Sequence, residues 1–235
     1  MELKEKCFES DIENYLITEG GYEQFSYANP DGHRIHKYVY DKKRAYYPEI
    51  LQTFIQNTQP KAWEKYKNLY KNDAEERLYQ RIQNTIQSKG LLYTLKNGIE
   101  DLGIKIKLCY FKPESELNAA QNELYRQNIL GCTRQFAYSA NNNNTIDMVL
   151  SVNGFPIVAL ELKNQYTGQN AECAIEQYRN DRSSKEFCFK LNNRFLVYFA
   201  VDLYEAYMTT CLNDGRTHFV PFNQGSNGAG VSGGK

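Results

Sequence analysis

Two hydrophobic periods divide the chain. Between Leu3 and Thr18, Phe8, Ile12, Tyr15 and Leu16 recur at i, i+4, i+7 and i+8, which predicts an amphipathic helix. Gly20-Gly21 predicts its left-handed cap. Glu9 and Glu13, one turn apart, read as a solvated face. Residues 22–44 mix Tyr, Gly and charge and predict no regular element. A helical pattern returns at Pro48, with Ile50, Leu51, Phe54 and Ile55, and again at Pro60, with Trp63, Tyr66, Leu69 and Tyr70. Asp73 and Glu76 resemble a capping box, and Leu78, Ile82 and Ile86 carry the stripe to Gly90. These helices form an insertion over about residues 45–98, read as scaffold, with a partner-docking surface as the functional alternative.

The period then shortens to two. Ile104 to Phe111 alternates as a half-exposed strand that opens the sheet, and Ile129 to Tyr138 reads as another, carrying Arg134 and Gln135. Glu116 to Gln127 between them is helix or extended coil. After the polar loop Asn141 to Asn144 comes TIDMVLSVNGFPIVALELK, two apolar runs flanking Asn153-Gly154, a dipeptide suited to a tight hairpin turn. A loop from Asn164 to Gly168 leads to a helix with an inner stripe of Ala171, Ala174, Ile175 and Tyr178. Gln177 sits beside the stripe, and Arg179 and Arg182 near its end oppose the helix dipole. Phe195 to Asp202 reads as a buried strand with Tyr204 to Leu212 as its neighbour. The mixture predicts an α/β sandwich with a mixed sheet in one domain over residues 1–222. A Gly- and Ser-rich tail at 223–235 reads as a flexible linker or the end of a fragment.

Charge inside the hairpin changes this picture. Asp147, Glu161 and Lys163 lie in otherwise apolar runs, and burying charge is costly unless it is paired or bound to metal. A plain two-residue turn would pair Val152 with Phe155 and Asp147 with Leu160, so Asp147 would face away from Glu161. A three-residue loop or a bulge makes the two carboxylates neighbours. Any shared chemistry requires that bulged register.

Composition narrows the class. The 235 residues, 41% apolar with 12 Phe and 19 Tyr, suit a globular protein and argue against disorder. Formal net charge is zero, so contact with nucleic acid needs a local patch. Arg134, Lys190 and Arg194 are candidates for it. No apolar run approaches the ~20 residues that span a bilayer, and the N-terminus lacks a signal core. The six scattered cysteines form no Cys-x-x-Cys pair and read as buried apolar residues in a reducing cytoplasm, with no zinc site.

Phosphodiester hydrolysis needs a cation and an activated water, and magnesium takes one or two carboxylates from a protein. Asp147 and Glu161 supply such a pair, the carbonyl of Leu162 an extra ligand, and Lys163 a group to orient water or bind phosphate. The spacing D-x13-E-x-K is the pattern of PD-(D/E)xK nucleases. The plain alternative is a structural Glu–Lys pair closing the sheet edge.

Three segments, FESDIENYLITEGGY, TIDMVLSVNGFPIVALELKNQ and RFLVYFAVDLYEAYMTTCLNDGRTHFVPFNQG, resemble the N-terminal nuclease domain of the R subunit (HsdR family) of type I restriction–modification enzymes. The resemblance runs from residue 8 to about 228, apart from the helical segment. It implies a restriction-endonuclease-like mixed sheet flanked by helices, with Asp147, Glu161 and Lys163 as catalytic triad and Glu9 as a supporting acid. Gln177 would match the glutamine of a Q-x-x-x-Y motif, from which this chain departs: Asp181 stands four residues on, and the tyrosine is Tyr178. It implies Mg2+, duplex DNA, and methyltransferase (M) and specificity (S) subunits as partners. ATP would serve only a motor further along a longer chain, and no G-x-x-x-x-G-K-[ST] loop occurs here. The expectation is therefore a magnesium-dependent, cytoplasmic endonuclease domain cutting unmodified duplex DNA within a translocating complex. The alternatives are a stand-alone resolvase or RecB-like nuclease, and a catalytically silent docking or DNA-binding module.

Overall fold

The computed structural model describes residues 2–29, 33–115, 117–164 and 168–222, with side chains from Phe8 onward. The expected tail at 223–235 and the middle of the expected loop after Asn164 lie outside the described residues. Helix α1 (Glu2–Thr18) ends where Gly21 takes a φ of 69° and the Tyr22 N–H donates to Leu16 O at 3.1 Å, the expected left-handed cap. Residues 22–44, read as irregular, contribute three short strands. These are β1 (Glu23–Gln24), β2 (Ser26–Ala28) and β3 (Arg34–His36), too brief to show a period.

The helical unit follows as α2 (Pro48–Thr58), α3 (Pro60–Tyr70), α4 (Ala74–Lys89) and α5 (Leu91–Asn97), with each proline in its helix's first turn. The capping box does not form: Asp73 closes a 3-10 turn without a side-chain cap bond, and Glu76 pairs with Arg44 instead. Strands β4 (Ile99–Asp101) and β5 (Ile104–Ile106) make a separate two-stranded hairpin. The strand expected through Phe111 stops at Ile106, and it does not open the main sheet. Gln59 takes both backbone groups of Lys107, accepting from its N–H at 2.7 Å and donating to its carbonyl at 2.9 Å.

After α6 (Ala119–Arg126) come β6 (Leu130–Ala137), β7 (Thr145–Val152) and β8 (Phe155–Leu162). Then follow α7 (Ala171–Asn180), β9 (Val197–Val201), β10 (Ala206–Thr209) and β11 (Val220–Pro221). The main sheet has the order β1-β6-β7-β8-β9-β10-β11, with β1–β6 and β8–β9 parallel and its other pairs antiparallel. Helix α7 supplies the crossover that the parallel β8–β9 pair needs. This is the mixed α/β architecture of restriction-endonuclease-like folds. Val149, Ala159, Tyr178 and Tyr198 fill the core on one side, while Met148, Leu150 and Leu162 pack beneath Phe8, Ile12 and Leu16 of α1 on the other. Tyr15, expected in the α1 stripe, is instead exposed.

The central hairpin sets the geometry. Asn153 and Gly154, at φ 47° and 90°, join Val152 to Phe155 in a two-residue turn of the primed kind. Leu150 then pairs with Val158 but Ser151 with Pro156, which leaves Ile157 as the extra residue of a bulge. Pro156 cannot donate to a regular ladder, so the irregularity falls where the sequence tolerates it. Beyond the bulge Met148 pairs with Leu160, and one step on Asp147 stands opposite Glu161. The turn end is buried against the helical unit: the Tyr47 N–H donates to Gly154 O at 2.8 Å, and a Cβ on Gly154 would lie 2.5 Å from Tyr47 O.

Cys109, Cys132 and Cys188 are buried as expected, but Cys173 and Cys211 are exposed. Among the described residues no helix is long and apolar enough to cross a membrane.

Candidate active site

The bulge brings Asp147 and Glu161 to neighbouring positions on one face, and Lys163 follows two residues on. Glu161 is completely buried, whereas Asp147 and Lys163 keep side-chain exposures of 16% and 12%, so the site opens to solvent on their side. Lys163 Nζ lies 3.8 Å from Asp147 Oδ2. Asp147 Oδ2 also accepts from the Leu162 N–H at 2.8 Å, which fixes the carboxylate across the two strands. Glu161 does not pair with Lys163, and β8 is an internal strand, so a Glu–Lys pair at a sheet edge is not what holds these residues.

Glu161 pairs instead with Arg182, which the sequence suggested only as a partner of the helix dipole. Arg182 is itself buried, and its Nε and Nη2 both reach Glu161 Oε1, at 2.9 and 2.8 Å. The other oxygen, Oε2, is buried without a hydrogen-bond partner. Burial above all, and then the charge of Asp147, raise the Glu161 pKa well above the ordinary carboxylate range, with Arg182 opposing.

Thr145 ties both carboxylates together. Its carbonyl accepts from Arg182 Nη2 at 2.7 Å, and its hydroxyl donates to Gln135 Oε1 at 2.9 Å. Gln135 Nε2 in turn donates to Asp147 Oδ1 at 3.3 Å and to Glu9 Oε1 at 3.1 Å. Gln135 holds a φ of 49°, an uncommon backbone state for a residue with a side chain, on the strand that pairs with β7. Removing the hydroxyl should loosen Asp147 through Gln135. If the site takes a divalent cation, Thr145→Val should therefore weaken its binding by about 10-fold or more, as happens when a group that orients a ligand is removed. Thr145→Ser should bind like wild type, as calorimetry would show. Equal loss in both would mean that the methyl group matters and the hydroxyl does not.

Helix α1 closes the other side. Glu9 and Glu13 are buried, contrary to the solvated face expected from their spacing. They clamp the buried Arg134, which donates to Glu9 Oε2 at 2.9 and 2.7 Å, to Glu13 Oε2 at 3.2 Å and to the Ser10 hydroxyl at 2.9 Å. Arg134 is thus an internal cation and presents no charge to DNA. Arg194 is also fully buried, spending its guanidinium on the carbonyls of Arg44, Ala45 and Asn193 and on Gln83 Oε1. Of the three expected backbone contacts only Lys190 is exposed. Gln177, half-buried on α7, lines an open cleft with Lys163, while Tyr178 belongs to the core, its hydroxyl donating to Phe199 O at 3.3 Å.

These residues suit a hard divalent cation. Among the described residues no cluster of three or more His, Cys, Asp or Glu side chains forms a metal cage. Magnesium commonly takes only one or two carboxylates, and a buried Glu161 oxygen with no partner beside a half-open Asp147 is a donor set of that kind. Comparison with curated proteins gives no match. The family described as type I restriction enzyme R protein N terminus, in contrast, matches residues 7–217. Its match spans α1, the helical unit, the bulged hairpin and the site, and the chain belongs to that family.

Proposed function

We propose that this domain is a magnesium-dependent endonuclease, hydrolysing phosphodiester bonds of unmodified duplex DNA within a type I restriction complex. The observation that carries this reading is the partnerless, buried Oε2 of Glu161 next to Asp147, an arrangement that costs stability once Glu161 is ionised unless a cation offsets it. Asp147, Glu161 and the Leu162 carbonyl would hold the ion. A bound divalent cation supplies charge neutralisation on phosphate and eases ionisation of water. Lys163 lines the open cleft beside Asp147, and its ammonium would donate to a phosphate oxygen or orient the attacking water. Gln177 lines the same cleft and would touch the substrate beside it. Glu9 acts from behind, through Gln135. ATP-driven motion, and contact with methyltransferase and specificity subunits, would belong to the assembly.

A second reading has an observation of its own. Arg182 on Glu161 and Lys163 on Asp147 neutralise both acids without metal, as a silent docking module would require. Calorimetric titration of Mn2+ or Mg2+ into the chain separates the two. Binding that disappears in both Asp147→Ala and Glu161→Ala, with circular dichroism unchanged, supports the nuclease. Binding that both variants retain sinks the assignment.

The pH dependence has a definite sign. Because burial raises the Glu161 pKa, its contribution to the metal-free fold is complete below the ordinary carboxylate range and is lost as pH rises through the raised value. A cation binds the ionised form. The rise in melting temperature on adding Mn2+ should therefore be larger at about pH 8 than at about pH 5.5, both above the free glutamate value of about 4.3. A shift independent of pH would remove Glu161 from the ligand set.

A further inference from the structure

A DNA-cutting domain of zero net charge needs a local source of phosphate contacts, and two of the three cations expected to serve are internal. A different group is exposed. Arg81 and Lys89 on α4, Lys105 on β5 and Lys107 just after it line one open cleft of about 620 Å³ between α4, α5 and the β4–β5 hairpin. A second cleft shares Ser88 and Lys89 with the first and continues to Lys190. The two form one surface, joined where the Leu91 N–H donates to Asn192 O at 2.7 Å.

The surface is cationic by selection of neighbours. Among the described residues Glu100 is the only acid lining either cleft, and the remaining uncharged polar side chains are Asn, Gln, Ser, Thr and Tyr. Of the five cations only Lys105 has a carboxylate within ion-pair distance among the described residues, Glu100 at 3.7 Å, and that pair is largely solvated. Lys89 instead reaches the Tyr93 hydroxyl at 3.3 Å, and Lys107 the Lys96 carbonyl at 3.3 Å. Arg134, Arg182, Arg179 and Arg44, in contrast, each spend their charge on an acid. Unpaired ammonium groups among amide and hydroxyl donors are the composition that contacts sugar–phosphate backbone without reading sequence.

We propose that this face of the helical unit binds the phosphodiester backbone of duplex DNA. It is a second contact, remote from the carboxylates, because the helical unit packs on the turn end of the β7–β8 hairpin and Asp147 and Glu161 lie towards the opposite end. The proposal rests on the reading of the domain as a DNA endonuclease. Its role is to hold the duplex while the site acts, independent of sequence.

Fluorescence anisotropy of a labelled duplex, titrated with the chain at several salt concentrations, tests it. In the Lys89→Ala/Lys105→Ala/Lys107→Ala variant the slope of log affinity against log salt should fall by about 2–3, since each phosphate contact contributes about 0.9. A variant with the same loss of charge outside the clefts, Lys61→Ala/Lys65→Ala/Lys67→Ala on α3, should keep the wild-type slope. An unchanged slope in the first variant, or an equal fall in both, overturns the proposal. So does an absence of duplex binding by the wild type. Mn2+ calorimetry on the same variants reports separately on the carboxylate site: loss of metal binding in the wild type would unseat the nuclease reading itself, whereas intact metal binding with an unchanged salt slope would unseat only this surface.

Discussion

Asp147→Asn should abolish DNA cleavage by the assembled enzyme while leaving the metal-free domain as stable as the wild type, or slightly more so. The loss of activity should exceed the about 10- to 100-fold typical of outer-shell changes, since Asp147 would hold the ion directly. Stability moves the other way for an electrostatic reason. Asp147 is the second cause, after burial, of the raised Glu161 pKa, so removing its charge relieves a repulsion inside the fold. Asparagine keeps an oxygen to accept from the Leu162 N–H, and what is lost is the 3.8 Å pair with Lys163, at the solvent-facing side, and the long 3.3 Å bond from Gln135 Nε2. A residue whose removal ruins function and spares or improves the fold is strained for its task. Cleavage assays paired with thermal melts would check both halves. A variant that loses several degrees of melting temperature would make Asp147 a structural acid.

How far the chain announced this arrangement depends on which interactions are local. The helices over 48–97, the Ala171 to Tyr178 stripe and the Asn153-Gly154 turn are set by spacing and by backbone preferences within a few residues, and they were legible. The register was legible only as a condition: the sequence shows that a bulge is needed, and Pro156 hints at where, but the pairing of Ser151 with Pro156 is a tertiary outcome. Partners of buried charge were not legible. Nothing near Glu9 or Glu13 announces Arg134, more than a hundred residues away, and a glutamate pair one turn apart reads as solvent-facing until the facing strand is known. Arg182 was visible as an arginine just beyond a helix, where the dipole was a sufficient reason, and only the fold reveals that it reaches back to Glu161 and Thr145. Cations were therefore overcounted for DNA and undercounted for the site.

That same buried clamp gives the largest expected effect on stability. Arg134→Met should cost about 3–5 kcal/mol, the range for breaking a buried ion pair from one side. The methionine fills much of the space, but Glu9 and Glu13 would remain buried with no cation between them. Glu13 already carries one oxygen without a partner, so that side has little to share. Burial is the main cause raising the Glu9 pKa, and the bonds from Arg134 are what hold it down, so in the variant the carboxyl should titrate higher still. The sign of the pH effect follows. The deficit should be small in acid, where Glu9 is protonated in folded and unfolded chains alike, and should grow as pH rises above about 4.3, where Glu9 ionises freely only in the unfolded chain. Denaturant unfolding of Arg134→Met across that range would display the trend. Adding Glu9→Gln and Glu13→Gln to it should restore most of the loss, because an uncharged cluster has no unpaired charge to bury. A triple variant no more stable than Arg134→Met would instead place the cost in packing beneath α1, with charge playing no part.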